Sequence, residues 1–141
     1  MKTKFDSIVK IKKNEIEKIE RNIHKINSSI EMLKNRIKEI KTKLSNLSLP
    51  TNGNFSEFNQ YKAMQNILIN EMNEYKHQIK VLEERKRELF EEYKKANTEY
   101  EKMKYLQSEE IKKLLKKQKQ KENIQMDEIA IILNKKRFES E

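Results

Sequence analysis

Isoleucine and leucine recur at alternating spacings of three and four residues along the first third of the chain. The positions that follow this spacing without interruption are Ile16, Ile19, Ile23, Ile26, Ile30, Leu33, Ile37, Ile40, Leu44 and Leu47. A mean spacing of 3.5 residues is the repeat of a left-handed coiled coil. The pattern extends back to Phe5, with Lys12 as the polar exception, and predicts a first helix over about residues 5–48.

A second series with the same spacing follows, and its side chains are larger and more mixed. Its members are Phe58, Tyr61, Gln65, Leu68, Met72, Tyr75, Ile79, Leu82, Lys86, Leu89, Tyr93, Ala96, Tyr100 and Met103. The register slips after Met103, and a last apolar face at helical spacing comprises Met126, Ile129, Ala130 and Leu133. This pattern predicts a second helix over about residues 55–135 and a short C-terminal tail.

The only proline and the only glycine, Pro50 and Gly53, stand between the two series. Proline disfavours helix in the residue before it, and glycine readily adopts a positive φ. Residues 49–54 are therefore predicted to form a loop that reverses the chain, with Asn54 or Ser56 as the N-cap of the second helix. The predicted fold is all-α: one domain over residues 1–141, a long antiparallel two-helix coiled-coil hairpin with unequal arms.

The two arms differ in length by nearly a factor of two. At 1.5 Å per residue the first helix would measure about 65 Å and the second about 120 Å. After a tight reversal, the first helix would cover the second only to about residue 98, with Ile79, Leu82, Leu89 and Tyr93 in the shared core. A lone amphipathic helix is marginal in water, so the uncovered end predicts a protein partner. Pairing of the same seam between chains, as in a plain dimeric scaffold, is the alternative.

Composition agrees with long helices and excludes several classes of protein. Charged residues make up 39% of the chain and hydrophobic residues 35%, and one glycine and one proline are too few for a fold with many turns. The absence of cysteine excludes disulfides and thiolate chemistry. Neither a signal-peptide core nor a stretch of about 18 apolar residues occurs, and a cytoplasmic location is predicted.

The net charge of +9 is unevenly distributed. Residues 1–54 carry 13 basic and 6 acidic side chains, residues 55–110 carry 10 and 12, and residues 111–141 carry 9 and 5. A basic first arm beside a slightly acidic second arm favours their pairing. A basic arm that binds nucleic acid is an alternative function. Five arginines among 32 basic residues are a poor supply of phosphate and base readers, so no nucleic-acid partner is expected.

The titratable side chains do not form a catalytic pattern. His24 and His77 lie off the seams, and neither has a second ligand at helical spacing. Adjacent carboxylates such as Glu83 and Glu84 diverge on a helix, and a two-helix hairpin offers no cleft in which their pKa values would be perturbed. Neither enzymatic activity nor a metal or cofactor is expected.

Two segments and the order of the elements resemble one family. Residues 5–17 read FDSIVKIKKNEIE, and residues 122–130 read ENIQMDEIA. The chain resembles the flagellar export protein FliJ family, whose members carry a comparable Met/Leu–Asp–Glu–aliphatic/aromatic–Ala segment just before the C-terminus. The start of the second arm, between Tyr61 and Tyr75, is also similar to that of the family.

The resemblance implies a non-catalytic component of the bacterial flagellar type III protein export apparatus, with a fold similar to the central stalk of F-type ATPases. It implies three kinds of partner: the export ATPase hexamer, the cytoplasmic region of the transmembrane export gate, and export chaperones. No small-molecule ligand is implied. The implied location is the cytoplasm, peripheral to the inner face of the cell membrane at the flagellar base. A stalk protein of a virulence-type secretion system would look much the same.

The resemblance and the apolar patterning together suggest two partner-binding sites. The residues expected to contact the ATPase ring are Met126, Asp127, Glu128, Ile129, Ala130 and Leu133. The residues expected to contact the export gate are Tyr61, Met64, Leu68, Met72 and Tyr75. Apolar residues beside the second seam, such as Ile67, either widen the hairpin core or extend this second docking patch. The lysine-rich run, residues 112–123, would meet an acidic surface of the ring.

Overall fold

The computed structural model of the protein describes residues 1–51 and 53–139 and consists of two long α-helices. Helix α1 spans Asp6–Asn46, and helix α2 spans Phe55–Glu139. No strand occurs in these two ranges. The helices are antiparallel, so the predicted all-α hairpin is confirmed. Helix α2 continues past the predicted end at residue 135, whereas Asn52 of the predicted loop and Ser140 and Glu141 of the predicted tail lie outside the described residues.

A reciprocal set of hydrogen bonds marks the start of α1. The Asp6 carboxylate accepts hydrogen bonds from the Thr3 amide at 3.0 Å and from the Thr3 hydroxyl at 2.6 Å. The Phe5 amide donates to the Thr3 hydroxyl oxygen at 3.2 Å. This is a capping box, in which two side chains satisfy amides that the first turn of a helix leaves without partners.

Between the two helices, Gly53 lies so close to neighbouring atoms that a side chain there would collide with them. No described residue, Gly53 included, has a positive φ, so the expected left-handed glycine is not what the structure uses. A Cβ atom at position 53 would instead lie 2.8 Å from Cβ of Pro50 and would overlap the Glu57 carboxylate. Helix α2 then begins at a cap, because the Asn54 side-chain oxygen accepts a hydrogen bond from the Glu57 amide at 3.0 Å. Of the two predicted N-caps, Asn54 is the one observed.

Contacts divide the chain into two compact units, and the middle unit comprises Glu15–Lys95. Its core consists of side chains from the two predicted seams, which meet between α1 and α2. The buried members are Ile16, Ile30, Leu33, Ile37, Ile40, Leu68 and Leu89, and the half-buried members include Ile19, Ile23, Ile26, Leu44, Leu47, Ile79, Leu82 and Tyr93. Leu89 is the most enclosed, at 2% exposure. Burial of one such side chain contributes roughly 1.5–3 kcal/mol.

Two contacts show the antiparallel register of the middle unit. The Arg36 guanidinium lies 5.6 Å from the ring centroid of Tyr75, a cation–π contact. Nearer the start of α1, Ile23 lines an open groove together with Phe90 and Tyr93. Residues nearer the start of α1 therefore lie opposite residues further along α2, as antiparallel helices require.

The terminal unit comprises Met1–Asn14 and Ala96–Glu141. Its apolar core is thin, since Ala96 is its one buried side chain among the described residues. Polar contacts join its two segments: Asp6 accepts a hydrogen bond from the Gln107 side chain at 2.9 Å, and Lys12 forms an ion pair with Glu99 at 2.8 Å. Lys12, the polar exception in the first predicted seam, thus has an acidic partner on α2.

The covered part of α2 is longer than predicted. Side chains at the spaced positions are buried or half-buried as far as Leu114, rather than to about residue 98, and every described side chain from Leu115 to Glu139 is exposed. The reason lies at the start of α2. Eight residues separate Asn46 from Phe55, and between Phe55 and Met64 only Tyr61 is even half-buried. Helix α1 therefore pairs with later residues of α2 than a tight reversal would allow.

We expect Asn54→Ala to lower the free energy of unfolding by about 1 kcal/mol, because the first turn of α2 loses a side-chain acceptor for its amides. Chemical denaturation followed by circular dichroism measures the change. Ser56→Ala, two residues later, is the matched control and should change stability little. Equal losses in the two variants would contradict the role of Asn54 as the cap.

Candidate functional site

The predicted ATPase-contact residues lie on the part of α2 that nothing else in the described chain covers. We call residues 115–139 the C-terminal segment. All six predicted residues in it are exposed, and Met126 has 69% of its surface accessible. Four of them share one side of the helix, which we call the Met126 face: Met126, Ile129, Ala130 and Leu133. Asp127 and Glu128 lie off this face, so the predicted set does not form one continuous surface.

Further exposed apolar side chains of the C-terminal segment were missed by the sequence analysis. Ile124, Ile131 and Phe138 are exposed, Ile131 at 66% and Phe138 at 84%. They are spaced seven residues apart, and that spacing is the signal that would have identified them. Ile132 is exposed between the two sides. The segment is therefore apolar on more than the Met126 face.

A polar stretch separates this apolar end from the covered part of α2. Residues 116–123, which we call the spacer, contain no apolar residue and are exposed throughout. Within it the Gln118 amide lies 3.5 Å from the Glu122 carboxylate, one helical turn away. The spacer includes four of the lysines of the lysine-rich run, so positive charge lies on the helix just before the apolar end.

The predicted gate-contact residues are not all accessible. Leu68 is 7% exposed and belongs to the core of the middle unit, and Tyr61, Met72 and Tyr75 are half-buried. Met64 is the one exposed member of the set. The expectation that Leu68 forms part of a docking surface is therefore wrong for the folded chain, because its position in the second seam directs it against α1.

A different set of apolar side chains is accessible near the loop. We call it the α2-start surface, and it consists of Phe55, Phe58, Met64 and Ile67. Phe55 and Phe58 lie in the first turn of α2. Met64 and Ile67 lie on the other side of the helix, Ile67 beside the buried Leu68, so this surface wraps around α2 rather than forming one flat face. Sequence patterning identified Met64 and Ile67 as off-seam apolar residues, but Phe58 was assigned to the seam.

Asp6 has a pKa well below its ordinary value. The hydrogen bond from Gln107, followed by those from Thr3, lowers the pKa of Asp6 from 3.8 to about 2. Thr3 precedes α1, Asp6 is its first residue, and Gln107 is 101 residues away from Asp6 on α2. This cluster fixes the N-terminal turn against the covered part of α2 that precedes the C-terminal segment.

No group of side chains in the described residues could hold a metal ion. His24 and His77 are exposed, each beside an open groove. Carboxylates from the adjacent pairs form surface ion pairs, as in Lys94–Glu91 at 3.4 Å and Lys112–Glu109 at 3.4 Å. Such exposed pairs contribute little to stability. Neither helix has, over its described length, a stretch that is both long and apolar enough to span a bilayer.

Comparison with known families identifies the chain. The family model described as Flagellar FliJ protein matches residues 1–137, almost the full length. The chain belongs to the FliJ family. No curated protein and no solved structure matches it. FliJ-family membership makes the chain a component of the flagellar protein export apparatus, and the family is a non-enzymatic one. Both the C-terminal segment as far as Arg137 and the α2-start surface of this FliJ-family chain lie within the matched range.

The shifted carboxyl of Asp6 gives a direct test of the capping cluster. In Gln107→Leu we expect the pKa of Asp6 to rise from about 2 toward 3.8, because the largest cause of its depression is removed. A depressed carboxylate stabilises the fold above the unfolded pKa. That contribution is lost as pH falls from about 4 to about 2.

NMR titration of the Asp6 side chain measures this pKa directly. Gln118→Leu is the control, since Gln118 lies on α2 but approaches Glu122 rather than Asp6. An unchanged titration of Asp6 in Gln107→Leu would show that Gln107 does not hold the carboxylate.

Proposed function

We propose that this FliJ-family chain links the export ATPase ring to the export gate, with its C-terminal segment in the ring and its α2-start surface at the gate. The observation that carries the proposal is the uncovered end of α2. From Leu115 to Glu139 no described side chain is buried, although this stretch contains large apolar residues such as Met126 and Phe138. Exposed apolar surface on a single helix is stabilised when a partner covers it.

The charge of the C-terminal segment favours an acidic partner surface next to the apolar contact. The spacer carries Lys116, Lys117, Lys119 and Lys121 against a single acidic residue, Glu122. We propose that these lysines face carboxylates lining the ring while the Met126 face makes the apolar contact. Long-range attraction between the two would speed association and would weaken as salt is added.

The α2-start surface is the second half of the proposal. Its exposed side chains lie beside the loop, on α2 residues of the middle unit, and Met64 and Ile67 are its members nearest the core. Methionine and aliphatic side chains adapt to a partner surface without needing a polar counterpart. We propose that the export gate and the export chaperones bind here. We further propose a peripheral position at the inner face of the cell membrane and a role in motility through flagellar assembly.

The ATPase contact is tested with Met126→Ala/Ile129→Ala. We expect the affinity of the full chain for the purified export ATPase to fall about tenfold or more, because two apolar side chains no longer become buried on binding. Titration calorimetry or surface plasmon resonance gives the dissociation constant, and circular dichroism verifies an unchanged helix content.

The matched control for that experiment is Ile11→Ala/Met32→Ala, which truncates two exposed apolar side chains on α1 instead. Its affinity for the ATPase should equal that of the wild type. Full binding by the Met126→Ala/Ile129→Ala variant, or an equal loss in both variants, would rule out the Met126 face as the contact.

The gate contact is tested with Met64→Ala/Ile67→Ala against the purified cytoplasmic region of the export gate. We expect gate affinity to fall severalfold and ATPase affinity to remain unchanged, since the two sites use different residues. Val81→Ala, which truncates another exposed side chain on α2, is the control. Leu68→Ala is unsuitable, because its buried side chain would cost about 2–5 kcal/mol of stability. Unaltered gate binding by Met64→Ala/Ile67→Ala would place the gate contact elsewhere.

A further inference from the structure

The C-terminal segment has a second apolar side that the proposed ATPase contact does not use. We call it the Ile131 stripe, and it consists of Ile124, Ile131 and Phe138. Seven residues turn an α-helix by about 20° less than two full turns, so these three side chains lie almost in line along the helix. Helical periodicity places the Met126 face on the opposite side. One flat partner surface cannot cover both.

Charged side chains accompany the Ile131 stripe in an ordered way. Glu128 follows Ile124 by four residues, and Lys135 follows Ile131 by four, so both lie beside the stripe on its own side of the helix. The first half of the stripe thus carries an acid and the second half a base. Glu128 and Lys135 are seven residues apart, about 10 Å along the axis, which is too far for them to pair within one chain.

This arrangement complements itself when a second helix lies antiparallel to the first. With Ile131 on the two-fold axis, Ile124 of one chain faces Phe138 of the other, and Glu128 faces Lys135 twice. In a parallel pair these flanks would lie on opposite sides of the contact, so Glu128 and Lys135 would face Asn123 and Ala130 of the other chain and would form neither pair. The two Glu128–Lys135 attractions arise only when the helices run antiparallel, so the charges favour that arrangement.

We propose that the C-terminal segments of two copies of this chain pair antiparallel through the Ile131 stripe. The stripe is about 21 Å long, and two helices that meet over this length bury less surface than the roughly 1,200 Å² typical of stable complexes. The pair is accordingly weak and depends on protein concentration. It covers the exposed isoleucines and Phe138 when no larger partner is bound, and it leaves the Met126 face accessible.

Charge reversal with rescue tests the pairing in the full-length chain. We expect sedimentation equilibrium at low salt to show a concentration-dependent dimer whose dissociation constant rises about tenfold in Glu128→Lys and in Lys135→Glu. Each variant replaces two attractive pairs with two repulsive ones. A one-to-one mixture of the two variants should regain wild-type association as a heterodimer, and Glu128→Lys/Lys135→Glu should regain it as a homodimer.

The apolar part of the pairing is tested with Ile131→Ser, which should abolish the dimer. Leu133→Ser on the Met126 face is the matched control and should leave it intact. Because the chain has no cysteine, Ile124→Cys and Phe138→Cys can be mixed under mild oxidation. An antiparallel pair predicts a disulfide that joins an Ile124→Cys chain to a Phe138→Cys chain. A parallel pair predicts disulfides that join two copies of the same variant.

Several results would overturn the proposal: a wild-type chain that stays monomeric throughout, a dimer that persists in Ile131→Ser, or a mixture of charge variants that fails to regain association. Disulfides within the Ile124→Cys variant alone would overturn the antiparallel arrangement. None of these results bears on ATPase binding, which is measured separately with substitutions on the Met126 face.

Discussion

The contact between the isoleucine and leucine seam of α1 and the second seam of α2 is the interaction on which the rest of the molecule depends. The middle unit contains seven of the eight buried apolar side chains among the described residues, and Leu89 is the most enclosed of them. Neither helix has an apolar stripe that could be buried without the other. Since α1 has only 41 residues, the extent of this contact also decides how much of α2 is left uncovered.

The terminal unit is held together differently. It has a single buried side chain in its described part, Ala96, and its two segments are joined by Asp6 to Gln107 and by Lys12 to Glu99. Polar contacts of this kind give orientation and contribute less stability than apolar burial. Local opening should therefore be easier here than in the middle unit. The surfaces assigned to partners lie at the start of α2, where pairing with α1 only begins, and on the uncovered C-terminal segment.

Much of this organisation could be predicted from the sequence, because a sustained 3.5-residue repeat of isoleucine and leucine is typical of coiled coils and of few other structures. The two seams, the reversal between them and the two candidate N-caps, Asn54 and Ser56, all followed from local patterns. The end of the covered region could not be predicted, because it depends on which residues of α2 lie opposite α1, and no local pattern sets that register. The docking role given to Leu68 overlooked that a seam residue is turned toward the other helix. The Thr3–Asp6 box has a recognisable sequence signature, but its third member, Gln107, is 101 residues away from Asp6 and only the fold brings it close.

The spacer, residues 116–123, also fixes the rotation of the apolar end of α2 about the helix axis. It is an uninterrupted helix with no apolar side chain, and each of its residues advances the chain by about 1.5 Å and turns it by about 100°. Adding or removing one residue there would swing the Met126 face and the Ile131 stripe around the helix axis with hardly any change in length. Adding or removing two residues would bring the Met126 face close to the side now occupied by the Ile131 stripe, and the stripe close to the side of the Met126 face. The number of residues in this plain polar stretch, more than their identity, therefore determines the direction in which the apolar end of the helix points.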